Sequence, residues 1–252
     1  TQITQEMMPS IRGLSSPYGM NFTPGTWVHS IQLTKGVGSV INGFESMAGQ
    51  INVELKKPDG DEIIFADGYV NQGGRTELNG GKMFNVSDHV QTGIMAHVSG
   101  RPIYTDQNKD GFADNPMGWQ ANLLNRWTYH NKKGWEGMFG IQGVYDTKKG
   151  GQISYLKEGV SSNGYGLDVL NRNINIWTKN GYVFKDKPYQ SIGTQLSFKI
   201  NDLQAEYGNP NVIILGKPPL PLSSVSTTAY SGLQKSAYAN LLFSSIIGTT
   251  IH

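Results

Sequence analysis

Four side chains sit at offsets that a cation could use. Asp106, Asn108, Asp110 and Asp114, with Gly111 among them, fill positions 1, 3, 5, 9 and 6 of the pattern D-x-N-x-D-G-x-x-D. Those offsets let oxygen ligands converge on one hard cation, and the glycine permits the sharp turn. Position 12 is Met117 rather than Glu, and no helix pattern flanks the segment, so a structural calcium ion and a plain acidic turn are both expectations here. Catalysis has no comparable signature. His29, His89, His97, His130 and His252 lack a Ser or Cys partner at a recognisable spacing, and no Cys exists. Gly73-Gly74 and Gly80-Gly81 lack the Lys-Ser/Thr pair of a phosphate loop. Met7, Met8, Met20 and His29 are soft enough to hold copper, but nothing in their spacing fixes a geometry. An enzyme is not expected.

The elements that would position such residues are strands. Gly accounts for 32 of 252 residues, nearly twice the usual share of about 7%. Charged residues are 16%, against about 25% in an ordinary soluble domain, and aromatics are 10%. The net charge of +2 gives no footprint for nucleic acid. The lack of Cys excludes disulfides and thiolate metal sites. No run of 18 apolar residues predicts a transmembrane helix. No signal peptide opens the chain, and both ends read as the interior of a longer protein, so an internal fragment is expected.

Alternation with period two predicts about eight strands, near 62–70, 75–84, 90–100, 119–130, 135–146, 172–179, 188–200 and 234–247. Trp119, Ala121, Leu123 and Trp127 alternate with Gln120, Asn122, Leu124 and Arg126; Ile192, Thr194, Leu196 and Phe198 alternate with Ser191, Gly193, Gln195 and Ser197. Each segment has one apolar and one polar face. A soluble sandwich also alternates, but these segments run about ten residues, the length that crosses a bilayer on a tilt. Trp119, Trp127, Tyr129, Trp135, Tyr145, Tyr189 and Tyr238 stand at segment ends, where headgroup-level girdles form. The joins alternate short and long after a short first one at 71–74, the rhythm of an outer-membrane barrel. Long external loops are expected at 101–118, 147–171 and 201–233, the last containing the proline-rich stretch Lys217 to Pro221.

Residues 1–58 read differently. Pro9, Pro17, Pro24 and Pro58 punctuate short apolar pieces at Ile11, Trp27-Val28, Ile31–Leu33 and Ile51–Leu55, as in a small α+β unit. One helical turn is expected between Val37 and Gly49, and the polar run from Lys56 to Gly60 marks the boundary.

Within this first region, Ile31, Leu33, Lys35, Gly36, Ser39, Gly43, Gly49, Ile51, Asn52, Val53 and Pro58 closely match the end of the plug domain of TonB-dependent outer-membrane receptors. That family pattern is I-x-V, K-G-x-x-S-x-x-x-G, then G-x-I-N-[IV] and a basic-Pro exit. Ile11-Arg12-Gly13 is similar to an element of the Bacteroidetes versions, and Gln50 also suits them. The resemblance covers the chain in outline and is sharp over 9–58. It implies the C-terminal part of a plug (1–58), then the first strands (59–252) of a larger transmembrane antiparallel β-barrel in a Gram-negative outer membrane. It also implies uptake of a scarce ligand. A ferric siderophore is the first expectation; a corrinoid or a copper complex is the alternative, and a non-transporting surface binding or adhesion module is the rival of another class. The partners it implies are the metal chelate or corrinoid, outer-membrane lipids, and the TonB energy-coupling protein through a segment outside these residues. The apical plug residues Ser16, Tyr18, Met20 and Phe22 would face the ligand if the resemblance holds; loop packing against the wall is the alternative.

Overall fold

A computed structural model describes residues 2–37, 44–58, 63–131, 133–158, 164–208 and 227–246. Two sheets account for most of them. The first is four-stranded, ordered β2-β1-β4-β3, from β1 (Gln2–Gln5), β2 (Met8–Pro9), β3 (Val28–Thr34) and β4 (Gln50–Leu55). β4 is central, parallel to β1 and antiparallel to β3. Short 3-10 turns carry the chain between β2 and β3, at Gly13–Ser15, Gly19–Phe22 and Gly25–Trp27. The helical turn expected before Gly49 is the 3-10 turn Phe44–Ala48. Gly36 and Gly49 are left-handed, with φ of 80° and 104°; Ser39 and Gly43 lie outside the described residues. Ile11, expected as a strand, is not in one, and the β1–β2 hairpin shows no sequence alternation because β2 is only two residues long.

The second sheet is an eight-stranded meander: β5 (Ile63–Val70), β6 (Thr76–Ser87), β7 (Val90–Arg101), β8 (Gly118–His130), β9 (Trp135–Gly151), β10 (Gly166–Phe184), β11 (Lys187–Gly208) and β12 (Thr227–Ser245). Each strand pairs antiparallel with the next. The joins at 88–89, 131–134 and 185–186 lie at one end. The first join, 71–75, shares the other end with the joins 102–117, 152–165 and 209–226. The last of these, with its Lys217–Pro221 stretch, lies outside the described residues.

β9 to β12 are longer than their apolar alternation predicts; β10 has 19 residues and β11 has 22. The added pairs stand at the long-loop end, where the outward side chains are polar: Asp168, Arg172, Asp202, Gln204 and Glu206. Backbone pairing continues there without an apolar face to announce it. The join expected at 147–171 therefore shortens, and part of it folds as a helix, α1 (Ile153–Glu158).

The two faces of the wall have opposite polarity to a soluble sheet. On β8 the side chains facing the small sheet are Gln120, Asn122, Leu124 and Arg126, all buried, while Trp119 and Leu123 on the other face are each 56% exposed. Gln142 and Asp146 on β9, and Asn171, Asn173 and Asn175 on β10, are likewise buried. Ile141, Ile174, Leu196 and Phe198 look outward. A sheet that buries amides and exposes aliphatics to its surroundings is stable where the surroundings are apolar. Between the sheets lies one compact apolar cluster: Met8, Trp27 and Leu55 against Met83, Met95, Leu124 and Trp177.

Candidate functional site

The segment 12–23 lies along the inner face of the wall near its long-loop end. It is fixed mostly by wall side chains reaching its backbone. Gln234 Oε1 accepts from Leu14 N at 2.7 Å. Gln120 Nε2 donates to the Asn21 carbonyl at 2.6 Å. Asn122 Nδ2 and Gln142 Nε2 both donate to the Phe22 carbonyl, at 2.8 and 3.0 Å. These bonds explain why the wall places amides there: a loop without its own ladder still has buried carbonyls to satisfy. They also sort the four apical residues. Ser16 is exposed, Met20 is 67% exposed, Tyr18 is half-buried and Phe22 is buried. The Tyr18 hydroxyl lies 3.5 Å from that of Tyr207, and the Lys148 ammonium stands 5.3 Å from the Tyr18 ring centre. Burial, followed by the bond to Tyr207, pushes the Tyr18 phenol up to about 12.

Beside Asn21 opens a cavity of about 230 Å³, bounded by Arg75, Ser99, Arg101, Asn115, Gln120, Asp146 and Lys148. The register explains who meets there. Ser99, Gln120, Asp146 and Asn171 form one inward row across β7 to β10, and Arg101, Gly118, Lys148 and Val169 form the row above. Arg75 pairs with Glu77 and Lys148 with Asp146. Arg101 has no ion-pair partner among the described residues. A larger cavity of about 580 Å³ is bounded by the same Arg101, Gly118 and Lys148 and by Trp119, Tyr145, Asp168 and Glu206.

The loop 102–117 is stapled to the next one. Ala113 N donates to the Gly151 carbonyl and Ile153 N to the Gly111 carbonyl, each at 2.9 Å. Tyr155 of α1 packs on Gly166 and bonds Asp168; burial and that bond hold its phenol above the usual range. The four expected cation ligands point mainly at backbone. Asp106 accepts from the N–H groups of Asp110 and Gly111, both at 3.1 Å. Asp110 accepts from Phe112 N at 2.8 Å and from Asn108 Nδ2 at 2.8 Å, and Asp114 from Gln107 N at 3.0 Å. Among the described residues no three His, Asp or Glu side chains converge as metal ligands would. These carboxylates hold the turn by accepting from its own backbone. The soft set is scattered: Met8 is in the core cluster, whereas Met20 and His29 are exposed.

Sequence reading missed Arg75, Arg101, Asn21, Gln120 and Lys148 as neighbours. They lie on five separate segments with no local pattern; only the tertiary fold brings them together. It also missed Glu6 and Arg126, which form a buried pair at 3.0 Å under the opposite end of the small sheet.

No family model matches the sequence, and no curated protein matches it. Solved structures do. A chain of the FpvAI–pyocin S2 complex aligns with a TM-score of 0.50 at 9% identity, over 95% of this chain and 43% of that one. The ferripyoverdine receptor of the outer membrane of Pseudomonas aeruginosa, bound to ferripyoverdine, gives 0.48 at 10%, over 90% and 38%. The ferric yersiniabactin uptake receptor FyuA of Yersinia pestis gives 0.35 at 12%, over 96% and 52%. The chain thus spans about two-fifths to one-half of these solved chains. At such identities the likeness is one of fold: a small mixed sheet beside a long antiparallel meander.

Proposed function

We propose that this chain belongs to a Gram-negative outer-membrane transporter of the TonB-dependent receptor type, with a ferric siderophore as its cargo. One observation carries the reading: the wall buries its polar face against the small sheet and turns its aliphatic face outward. A soluble binding module would do the reverse. The dense motif from Lys35 to Pro58 and the fold likeness support the same assignment. In this reading the small sheet is the plug, the long-loop end is external, and Trp119 and Tyr145 lie at the outer girdle with Trp127 and Trp135 at the inner one. Ser16, Tyr18 and Met20 present themselves to the ligand, while Phe22 anchors the apex through its carbonyl. Taken at about 3.3 Å per residue, β11 exceeds the roughly 30 Å hydrocarbon core even when tilted, so it projects beyond the membrane.

Fractionation of cells expressing the chain in its natural polypeptide tests this. The expected product sits in the outer membrane, shifts mobility when heated before electrophoresis, and supports growth on siderophore-bound iron under iron restriction. A soluble periplasmic product overturns the reading. Growth that depends on a corrinoid or on copper, with iron uptake unchanged, reassigns the cargo.

A further inference from the structure

We propose that Arg101 and Lys148 form an anion-recognition notch, so that the chelate bound at this mouth presents a free carboxylate. The inference rests on the transporter reading above and deepens it. Both side chains occupy the same inward row, on β7 and β9, with Gly118 of β8 between them. Two strand spacings separate their backbones by about 10 Å. Gly118 puts no side chain into that interval. Its φ of 154° and the Thr147 carbonyl packed where a Cβ would stand reserve the position for glycine. The gap is therefore built into the backbone and opens on the 230 Å³ cavity, and Arg101 and Lys148 also border the 580 Å³ one.

The charges around the gap are unequal. Glu77 answers Arg75, and Asp146 answers Lys148. Arg101 is half-buried and has no carboxylate among the described residues. A guanidinium removed from water without a partner is unfavourable, and its planar fork matches a carboxylate with two parallel bonds. Lys148 retains donors beyond the one given to Asp146. The cavity is smaller than the roughly 300 Å³ and upward of whole-ligand pockets. It fits one carboxylate-bearing arm, with the metal centre nearer Tyr18 and Met20.

Outer-membrane vesicles carrying the natural polypeptide test this with two iron-labelled probes: ferric citrate, which keeps free carboxylates, and a neutral ferric trihydroxamate. The wild-type protein is expected to prefer ferric citrate, with affinity falling as salt rises. Arg101→Gln is expected to weaken ferric citrate binding about ten- to a hundredfold, with Arg101→Lys between the two, and to leave the trihydroxamate unchanged. Lys148→Gln is expected to give a smaller loss of the same selectivity. Equal losses for both probes, ferric citrate binding indifferent to Arg101, preference for the neutral chelate, or binding of neither probe overturns the proposal. Where Arg101→Gln yields no heat-modifiable protein, the wild-type preference and Lys148→Gln decide. Siderophore-dependent growth lost on deleting the protein supports the transporter reading independently, so the two failures are distinguishable.

Discussion

The small sheet meets the wall in two ways, and the difference separates anchoring from recognition. At the short-turn end the contact is dry and charged. Glu6, 1% exposed, accepts from Leu55 N at 2.9 Å and from Arg126 Nη1 at 3.0 Å. Arg126 is fully buried and also donates to the carbonyls of Leu55 and Lys56. Glu6 and Met7 both hold positive φ, 55° and 63°, in a two-residue turn better suited to Asn-Gly. That strain persists because the carboxylate and the core cluster around Met8 over-determine the turn. At the long-loop end the contact is a set of neutral amide bonds to backbone N–H and carbonyl groups, beside an open cavity. One end fixes the sheet; the other leaves cationic donors lining that cavity.

That contrast can be broken by substitution. Arg126→Ala should have the largest effect, at about 3–5 kcal/mol, because it leaves the buried Glu6 with only the more distant Lys179, at 4.0 Å, as a cationic partner. Hydrogen exchange across residues 2–9 and 50–56 should rise together; protection unchanged from wild type would show that the pair does not anchor the sheet. Leu55→Ala, which opens the core cluster, should cost about 2–5 kcal/mol and lower the melting temperature. Asn122→Ala or Gln142→Ala should each cost about 1 kcal/mol; the first loosens the apex near Phe22, and the second also releases Gln5 of β1. If either destabilises the protein as much as Arg126→Ala, the two ends are not different in kind. Asp106→Ala should speed exchange at the N–H groups of Asp110 and Gly111 while leaving the unfolding free energy within about 0.5 kcal/mol of wild type.

The smallest effect concerns Tyr18. Its phenol titrates at about 12 in the folded protein, above the ordinary 10.0. A raised folded value means that its stabilisation is complete below pH 10 and is lost as pH climbs from there toward 12. An ultraviolet titration should show two late tyrosines, Tyr18 and Tyr155, of which one disappears in Tyr18→Phe.

Much of the wall was legible because alternation, aromatic ends and join lengths are local signals. The seven inner residues of the apolar cluster were not, since Trp27 and Trp177 are 150 positions apart and neither stands in a pattern naming the other. Glu6 and Arg126 are 120 residues apart; in sequence one reads as a turn acid and the other as a polar-face arginine. The Asp106–Asp114 spacing was legible, but spacing alone does not say whether carboxylates turn toward an ion or toward their own backbone.

By itself the sequence determined that β8 has an apolar stripe, Trp119 to Trp127, and a polar one, Gln120 to Arg126. It did not determine which stripe is inside, because a two-residue period is unchanged when the faces are exchanged. The tertiary structure decided that. It set Glu6, the Phe22 carbonyl and the Leu55 carbonyl against the polar stripe, whose donors had to find buried partners, and left the aliphatic stripe on the face turned away from the small sheet.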